Sequence, residues 1–213
     1  MHIRKDLNVA NTQSRKIKPI RYPVLIIIFL LLCVSVFYFF EDHINNRREI
    51  QPEEPDWIRR QFLPVNDYSR PAIELKAIKG VVVHYVANPG TSASNNRSYF
   101  EGLANSGATH ASSHFIIGLE GEVIQCIPLN EVAFASNERN RDTISIELCH
   151  PDESGRPADE TYASLVRLVK WLCETYKLDS GKVIRHYDVT GKMCPKYYVD
   201  HPDDWESFLE QIK

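Results

Sequence analysis

The 213-residue sequence predicts one α/β domain carried behind a single N-terminal membrane helix. Three observations predict it. From residue 79 onward, short β-branched runs alternate with helical periods, the pattern of strands and helices sharing one core. Val24 to Phe40 reads VLIIIFLLLCVSVFYFF, without a charge on any face. Between the two lies a polar stretch broken by Pro52, Pro55, Pro64 and Pro71, with no hydrophobic period of useful length.

Residues 1–23 form a basic tail. Up to Phe40 the chain holds Arg4, Lys5, Arg15, Lys16, Lys18 and Arg21 against Asp6 alone, a net charge of +5. The whole chain carries −3, so the remainder carries −8. An acidic body repels a phosphate backbone, which excludes a general nucleic-acid binder.

Residues 24–40 are read as a transmembrane helix. At about 1.5 Å per residue the run is roughly 25 Å long, the short end of what crosses a bilayer core. A cleaved signal peptide needs small residues after the apolar run, but Phe37-Tyr38-Phe39-Phe40 is followed by Glu41-Asp42. A lipoprotein cut before Cys33 is disfavoured by Leu32 in front of it. An uncleaved single-pass anchor remains. The basic residues precede it, so the tail is expected in the cytoplasm and the rest of the chain outside the cell membrane. Residues 41–72 are read as a partly extended stalk, on which Trp57 and Phe62 have the character of docking residues.

The domain is expected over residues 73–213. Lys79–Val86 is a β-branched buried strand, and Asn95–Asn105 places Tyr99, Phe100 and Leu103 at helical spacing. His114–Ile117 and Glu122–Ile127 flank Gly118-Leu119-Glu120-Gly121, a hairpin signal. Thr143–Leu148 alternates as a strand. Tyr162, Leu165, Val166, Val169, Leu172, Cys173 and Tyr176 keep a 3.6-residue period, so Asp159–Tyr176 is the clearest amphipathic helix. Lys182–Arg185 is a short strand and Trp205–Ile212 a final helix.

Histidine and cysteine carry the chemical information. His84 closes the valine-rich first strand, His186 follows Val183-Ile184-Arg185, and Cys194 lies eight residues further on. Imidazole and thiolate both suit zinc, and three protein ligands leave a fourth position for water. A histidine after a strand is equally at home as a hydrogen-bonded structural residue, and the spacing matches no zinc-finger pattern. Residue type alone does not separate these three from the others.

The segments VVVHYVANPG, SSHFIIGLEGEVIQCIP, TISIELCHPD and IRHYDVTGKMCPKY occur in that order. Together they resemble the zinc-dependent N-acetylmuramoyl-L-alanine amidases of the type-2 family. That family includes phage lysozyme-type amidases, bacterial anhydromuropeptide amidases and the animal peptidoglycan recognition proteins. The resemblance covers about residues 75–200. It implies a central mixed β-sheet flanked by helices, with Zn2+ held by His84, His186 and Cys194. It further implies Glu147, at the end of a central strand, as the proton-transferring carboxylate, and Lys192 as the cation beside the scissile carbonyl. The substrate implied is peptidoglycan or a muropeptide, cut between N-acetylmuramic acid and L-alanine; protein partners are not implied. The alternative on the same fold is a module that grips muropeptide without cutting it. A closed structural zinc site would need a fourth protein ligand, and none is obvious.

Two departures from the family pattern are visible. Ser113 stands where phage-type members carry a catalytic tyrosine; the anhydromuropeptide amidases also lack that tyrosine and rely on the glutamate, here Glu147. Ala133-Phe134-Ala135-Ser136 stands where many members have a Trp-His pair. Among the remaining candidates, His114 reads as a buried hydrogen-bonded histidine; His110 and His150 read as solvated loop positions, with lining of the cleft as the alternative for each. Cys173 reads as core filling, and Asp152, Glu153, Asp159 and Glu160 as a solvated loop and helix start. For Cys126 and Cys149, both in predicted strands, a disulfide and ordinary strand filling stay open.

Overall fold

The computed structural model describes residues 22–50 and 52–213, so all but the last two residues of the basic tail lie outside the described residues. The chain divides into two compact units, with the break after Ile44.

Helix α1 runs Tyr22–Ile50. Pro23 is tolerated in the first turn because those amides have no intrahelical partner. No proline or glycine follows until Pro52, so the helix continues past Phe40 through part of the expected stalk. Every large apolar side chain from Leu25 to Phe40 is at least 48% exposed. Side chains of α1 are described at Tyr22, Pro23 and from Leu25 to Glu41. Among the described residues no helix is long and apolar enough to cross a membrane.

In the second unit, described strands form one mixed sheet in the order β1-β4-β3-β5-β2-β6. They are β1 (Ile58–Arg60), β2 (Gly80–Tyr85), β3 (Phe115–Ile117), β4 (Val123–Gln125), β5 (Thr143–Leu148) and β6 (Val183–Arg185). β3, β5, β2 and β6 run parallel to one another. The expected hairpin supplies the antiparallel β3–β4 step, and β1 pairs parallel with β4.

Side chains alternate across the sheet. On one face Val81, Val83, Phe115, Ile117, Ile144, Ile146 and Leu148 pack against Leu165, Leu168, Val169 and Leu172 of α3 (Asp159–Tyr176). Trp205 and Phe208 of α6 (Pro202–Gln211) close the same core. On the other face α2 (Ala93–Ser106) lays Phe100 and Leu103 over Ile116, Ile124 and Cys126. Ser92 caps α2 by accepting from the Asn95 amide at 3.1 Å. Cys173 is core filling, as its place on the apolar face of α3 implied. Cys126 and Cys149 are free thiols in the same apolar cluster.

The reading of residues 41–72 as stalk is corrected at its C-terminal half. β1 extends the sheet, Gln61 and Leu63 donate backbone bonds to Gln125 and Cys126, and Leu63 is fully buried. Arg97 of α2 donates to the carbonyls of Gln61 and Phe62, and Arg70 forms a two-pronged pair with Glu131 at 2.8 Å. Trp57 packs edge-on against Trp171 beneath Arg167. β1 escaped notice because only Ile58 of its three side chains is buried. A strand that short has no period to detect.

Candidate metal centre

The parallel register carries the site. His84 of β2 lies directly across from Glu147 of β5, so both side chains project from the α2 face near the carboxyl ends of their strands. β6 ends at the same edge and runs straight into α4 (His186–Thr190). The carboxyl end of parallel strands is where open α/β sheets place ligands.

A short loop returns Cys194 to His186. Gly191 ends α4 in the left-handed region, at φ +76°, which a residue without Cβ adopts freely. The chain then reverses, and the Tyr187 amide donates to the Cys194 carbonyl at 2.8 Å. α5 (Lys196–Asp200) follows directly. As a result His84, His186 and Cys194 offer ligand atoms that all lie within 4.8 Å of one another. Each is buried, at 2%, 6% and 3% exposure.

The Cys194 Sγ lies 3.8 Å from His84 Nδ1. Two such ligands on one tetrahedral zinc are about 3.6 Å apart, given the usual Zn–N and Zn–S lengths. The donor set and spacing therefore fit zinc, held by His84, His186 and Cys194. The other ring nitrogens are occupied: His84 Nε2 is 3.0 Å from Ser136 Oγ, and His186 Nε2 is 2.9 Å from Asn137 Oδ1.

Electrostatics prepares the same set. Burial, followed by the charges of His186 and Lys192, holds His84 well below the usual histidine range, so the imidazole is neutral and able to ligate. Burial and Lys192 lower His186 as well. Burial and the Glu147 carboxylate push the Cys194 thiol up to about 12, so it keeps its proton until a bound cation displaces it. Burial pushes Glu147 up to about 8, with Lys192 opposing. Glu147 Oε2 is sealed from solvent and has no hydrogen-bond partner among the described residues. Lys192 is exposed, and its charge reaches Glu147 and both histidines.

All five residues singled out from the sequence are thus brought to one place. Ser113 is not part of it: fully buried, its hydroxyl faces the carbonyls of Phe115 and Ser145, each at 2.9 Å. His114 is the buried structural histidine expected. Its Nδ1 accepts from the Ser145 amide at 3.0 Å and its Nε2 donates to the Glu131 carbonyl at 2.9 Å. Burial keeps it neutral, lowering its pKa to about 4 against the opposing pull of the bond to the Glu131 carbonyl.

His150 corrects the solvated-loop reading. It is 1% exposed, tilted against Tyr85 at 5.2 Å, and Nδ1 donates to the Asp152 carbonyl. His110 is exposed as expected and stacks between Tyr68 and Phe134. With Phe134, Ala135, Asn137 and Asn140 it lines a cavity of about 220 Å³, and Asn137 in that lining bonds His186. In the sequence this loop stands out only for the Trp-His pair it lacks, which leaves Ser136 and Asn137 unmarked as functional residues. Two hydrogen-bonding side chains just before the glutamate strand were the available signal.

A sequence profile described as N-acetylmuramoyl-L-alanine amidase matches residues 74–197. The N-acetylmuramoyl-L-alanine amidase CwlL of Bacillus licheniformis is 36% identical over 166 residues, covering 72% of this chain and 46% of that protein. The amidase BlyA of Bacillus subtilis (strain 168) is 32% identical over 173 residues, covering 71% and 46%. The chain spans about half the length of these curated relatives. Among solved structures, the catalytic domain of XlyA superposes with a TM-score of 0.61 at 28% identity, covering 73% of this chain and 99% of that one. A selenomethionine derivative of AmpD, at 21% identity and a TM-score of 0.55 over 76% of this chain and 99% of that one, shares the fold.

Proposed function

The chain belongs to the N-acetylmuramoyl-L-alanine amidase family, and from that premise we propose that it is a membrane-anchored peptidoglycan hydrolase. The bond cut joins the lactyl carbonyl of N-acetylmuramic acid to the amine of L-alanine in the stem peptide. The observation that carries this reading is the convergence of His84, His186 and Cys194 beside a sealed, unpartnered oxygen of Glu147. When bound, zinc polarises a carbonyl and makes water a nucleophile near neutral pH.

The chain's own residues supply the rest. Glu147 takes the proton of the attacking water and returns it to the leaving nitrogen. The C–N bond breaks, the lactyl group keeps the new carboxylate, and L-alanine leaves as an amine. Lys192, whose charge reaches Glu147, holds the carbonyl oxygen as negative charge develops there, an interaction stronger in the transition state than in the substrate. The loss of the phage-type tyrosine at Ser113 leaves Glu147 as the proton-transferring group.

Anchoring is supported by α1, whose apolar side chains from Leu25 to Phe40 are exposed around the whole helix. The basic tail places the N-terminus in the cytoplasm and the domain at the outer face of the cell membrane. A tethered hydrolase reaches only wall near the membrane, which suits remodelling more than free lysis.

The test is digestion of purified peptidoglycan by the full chain, with products identified by mass spectrometry. Stem peptides beginning at a free L-alanine amine, with glycan retaining its lactyl carboxylate, are expected. Bound zinc without any release from several wall types would point to a binding module instead. Topology is tested on wall-stripped cells: added protease should degrade the domain and spare a tag at the N-terminus.

A further inference from the structure

We propose that Ser136 and Asn137 are positioning residues that together fix the ring orientation of both metal-binding histidines, Asn137 also fixing the tautomer of His186. The inference rests on the zinc reading above and adds residues that reading does not use.

The geometry is specific. Ser136 Oγ stands 3.0 Å from His84 Nε2, and Asn137 Oδ1 stands 2.9 Å from His186 Nε2. The amide oxygen of Asn137 can only accept, so His186 carries its proton on Nε2. That leaves the lone pair on Nδ1. At His84 the ring is oriented the same way: Nε2 engages the Ser136 hydroxyl while Nδ1 faces Cys194 Sγ at 3.8 Å. One dipeptide thereby holds the outer nitrogens of two imidazoles whose rings lie 4.7 Å apart. Both inner nitrogens are left free to ligate. An outer partner that orients an imidazole and raises its basicity is a general requirement of metal-binding histidine.

The dipeptide is itself held. Asn140 Oδ1 accepts the amides of Ala135 at 3.0 Å and Ser136 at 2.5 Å, which locks the turn from within. Asn137 sits at φ +54°, in the left-handed region that few residues other than glycine and asparagine adopt. Ser136 is fully buried, so its hydroxyl has no solvent to compete for it. Neither residue reaches the reacting atoms. Their effect passes through His84 and His186.

The test measures zinc affinity of the full chain by competition with a chromogenic chelator, together with the visible spectrum of the Co2+-substituted protein. Ser136→Ala and Asn137→Gly remove the two partners, and glycine keeps the left-handed backbone so that strain is not the variable. Each is expected to weaken zinc binding about 10- to 100-fold and to alter the cobalt bands. Ser136→Thr and Asn137→Asp keep an oxygen in place and are expected to restore affinity close to that of the parent. Parent-like affinity and spectra in Ser136→Ala and Asn137→Gly overturn this inference while leaving the zinc reading intact. A parent chain that takes up no zinc overturns both.

Discussion

The two faces of the central sheet are made from alternate residues of the same strands, and they have been put to different uses. On the α3 face, Val81, Val83, Ile144 and Ile146 present only hydrocarbon to a helix that answers with leucine and valine. On the opposite face, His84 and Glu147 sit in paired register and leave a carboxylate oxygen buried without a partner. Burial stabilises on the first face, because each side chain removed from water contributes about 1.5–3 kcal/mol. It costs stability at Glu147 on the second, because an unpartnered buried polar group forfeits its hydration. The apolar packing of the first face offsets that cost.

This contrast is sharpest at Cys194. Cys194→Ser should lower zinc affinity and amide cleavage together, by more than the about 100-fold that loss of an outer-shell partner costs. Its melting curve in chelator should stay near that of chelated parent protein, since no apolar packing is lost. Equal zinc occupancy in the variant would remove Cys194 from the ligand set. Leu168→Ala on the other face should do the reverse. It should cost about 3 kcal/mol in denaturant unfolding, the usual range for a fully buried leucine, while zinc affinity stays unchanged. A loss of zinc affinity in that variant would break the division between the faces.

His114 stands between the two roles, buried and polar yet outside the metal centre. Its folded pKa near 4 lies below the usual value of 6.5, so between those pH values only the unfolded chain takes up the proton. Its contribution is complete above pH 6.5 and is lost as pH falls toward 4, on the order of 3 kcal/mol in all. Unfolding measured from pH 4 to 7 should therefore show a flatter acid limb in His114→Gln than in the parent. Identical slopes would contradict the neutral-histidine account. The smallest expected effect is at Leu63, in the segment the sequence presented as stalk. Leu63→Ala should destabilise by about 2 kcal/mol. No change would return that segment to the linker.

How far the sequence revealed this arrangement depended on pattern length. β5 and α3 were legible to the residue, because six residues of clean alternation and eighteen of 3.6 periodicity leave little else to fit. β1 and the short helices α4 and α5 were not: three to five residues acquire their structure from the surfaces they meet. Of the site, His84, Glu147, Lys192, His186 and Cys194 were found through ordered motifs and not through spacing. No local spacing rule could have found them, since β2, β5 and β6 converge only in the folded sheet. Ser136 and Asn137 were missed for a different reason. Ser-Asn is ordinary turn chemistry in a sequence, and only the two imidazoles behind it give it a purpose.

The central claim is that the polar face performs amide hydrolysis with Glu147 moving the proton. Glu147→Gln measured beside the parent, for zinc content and for release of stem peptides from peptidoglycan, tests it most directly. Glutamine keeps the volume and cannot accept the water's proton. The account predicts undiminished zinc with release lowered by about 10²–10⁴-fold, the range a positioned acid–base group contributes. Parent-like release from a variant that holds parent-like zinc would contradict it.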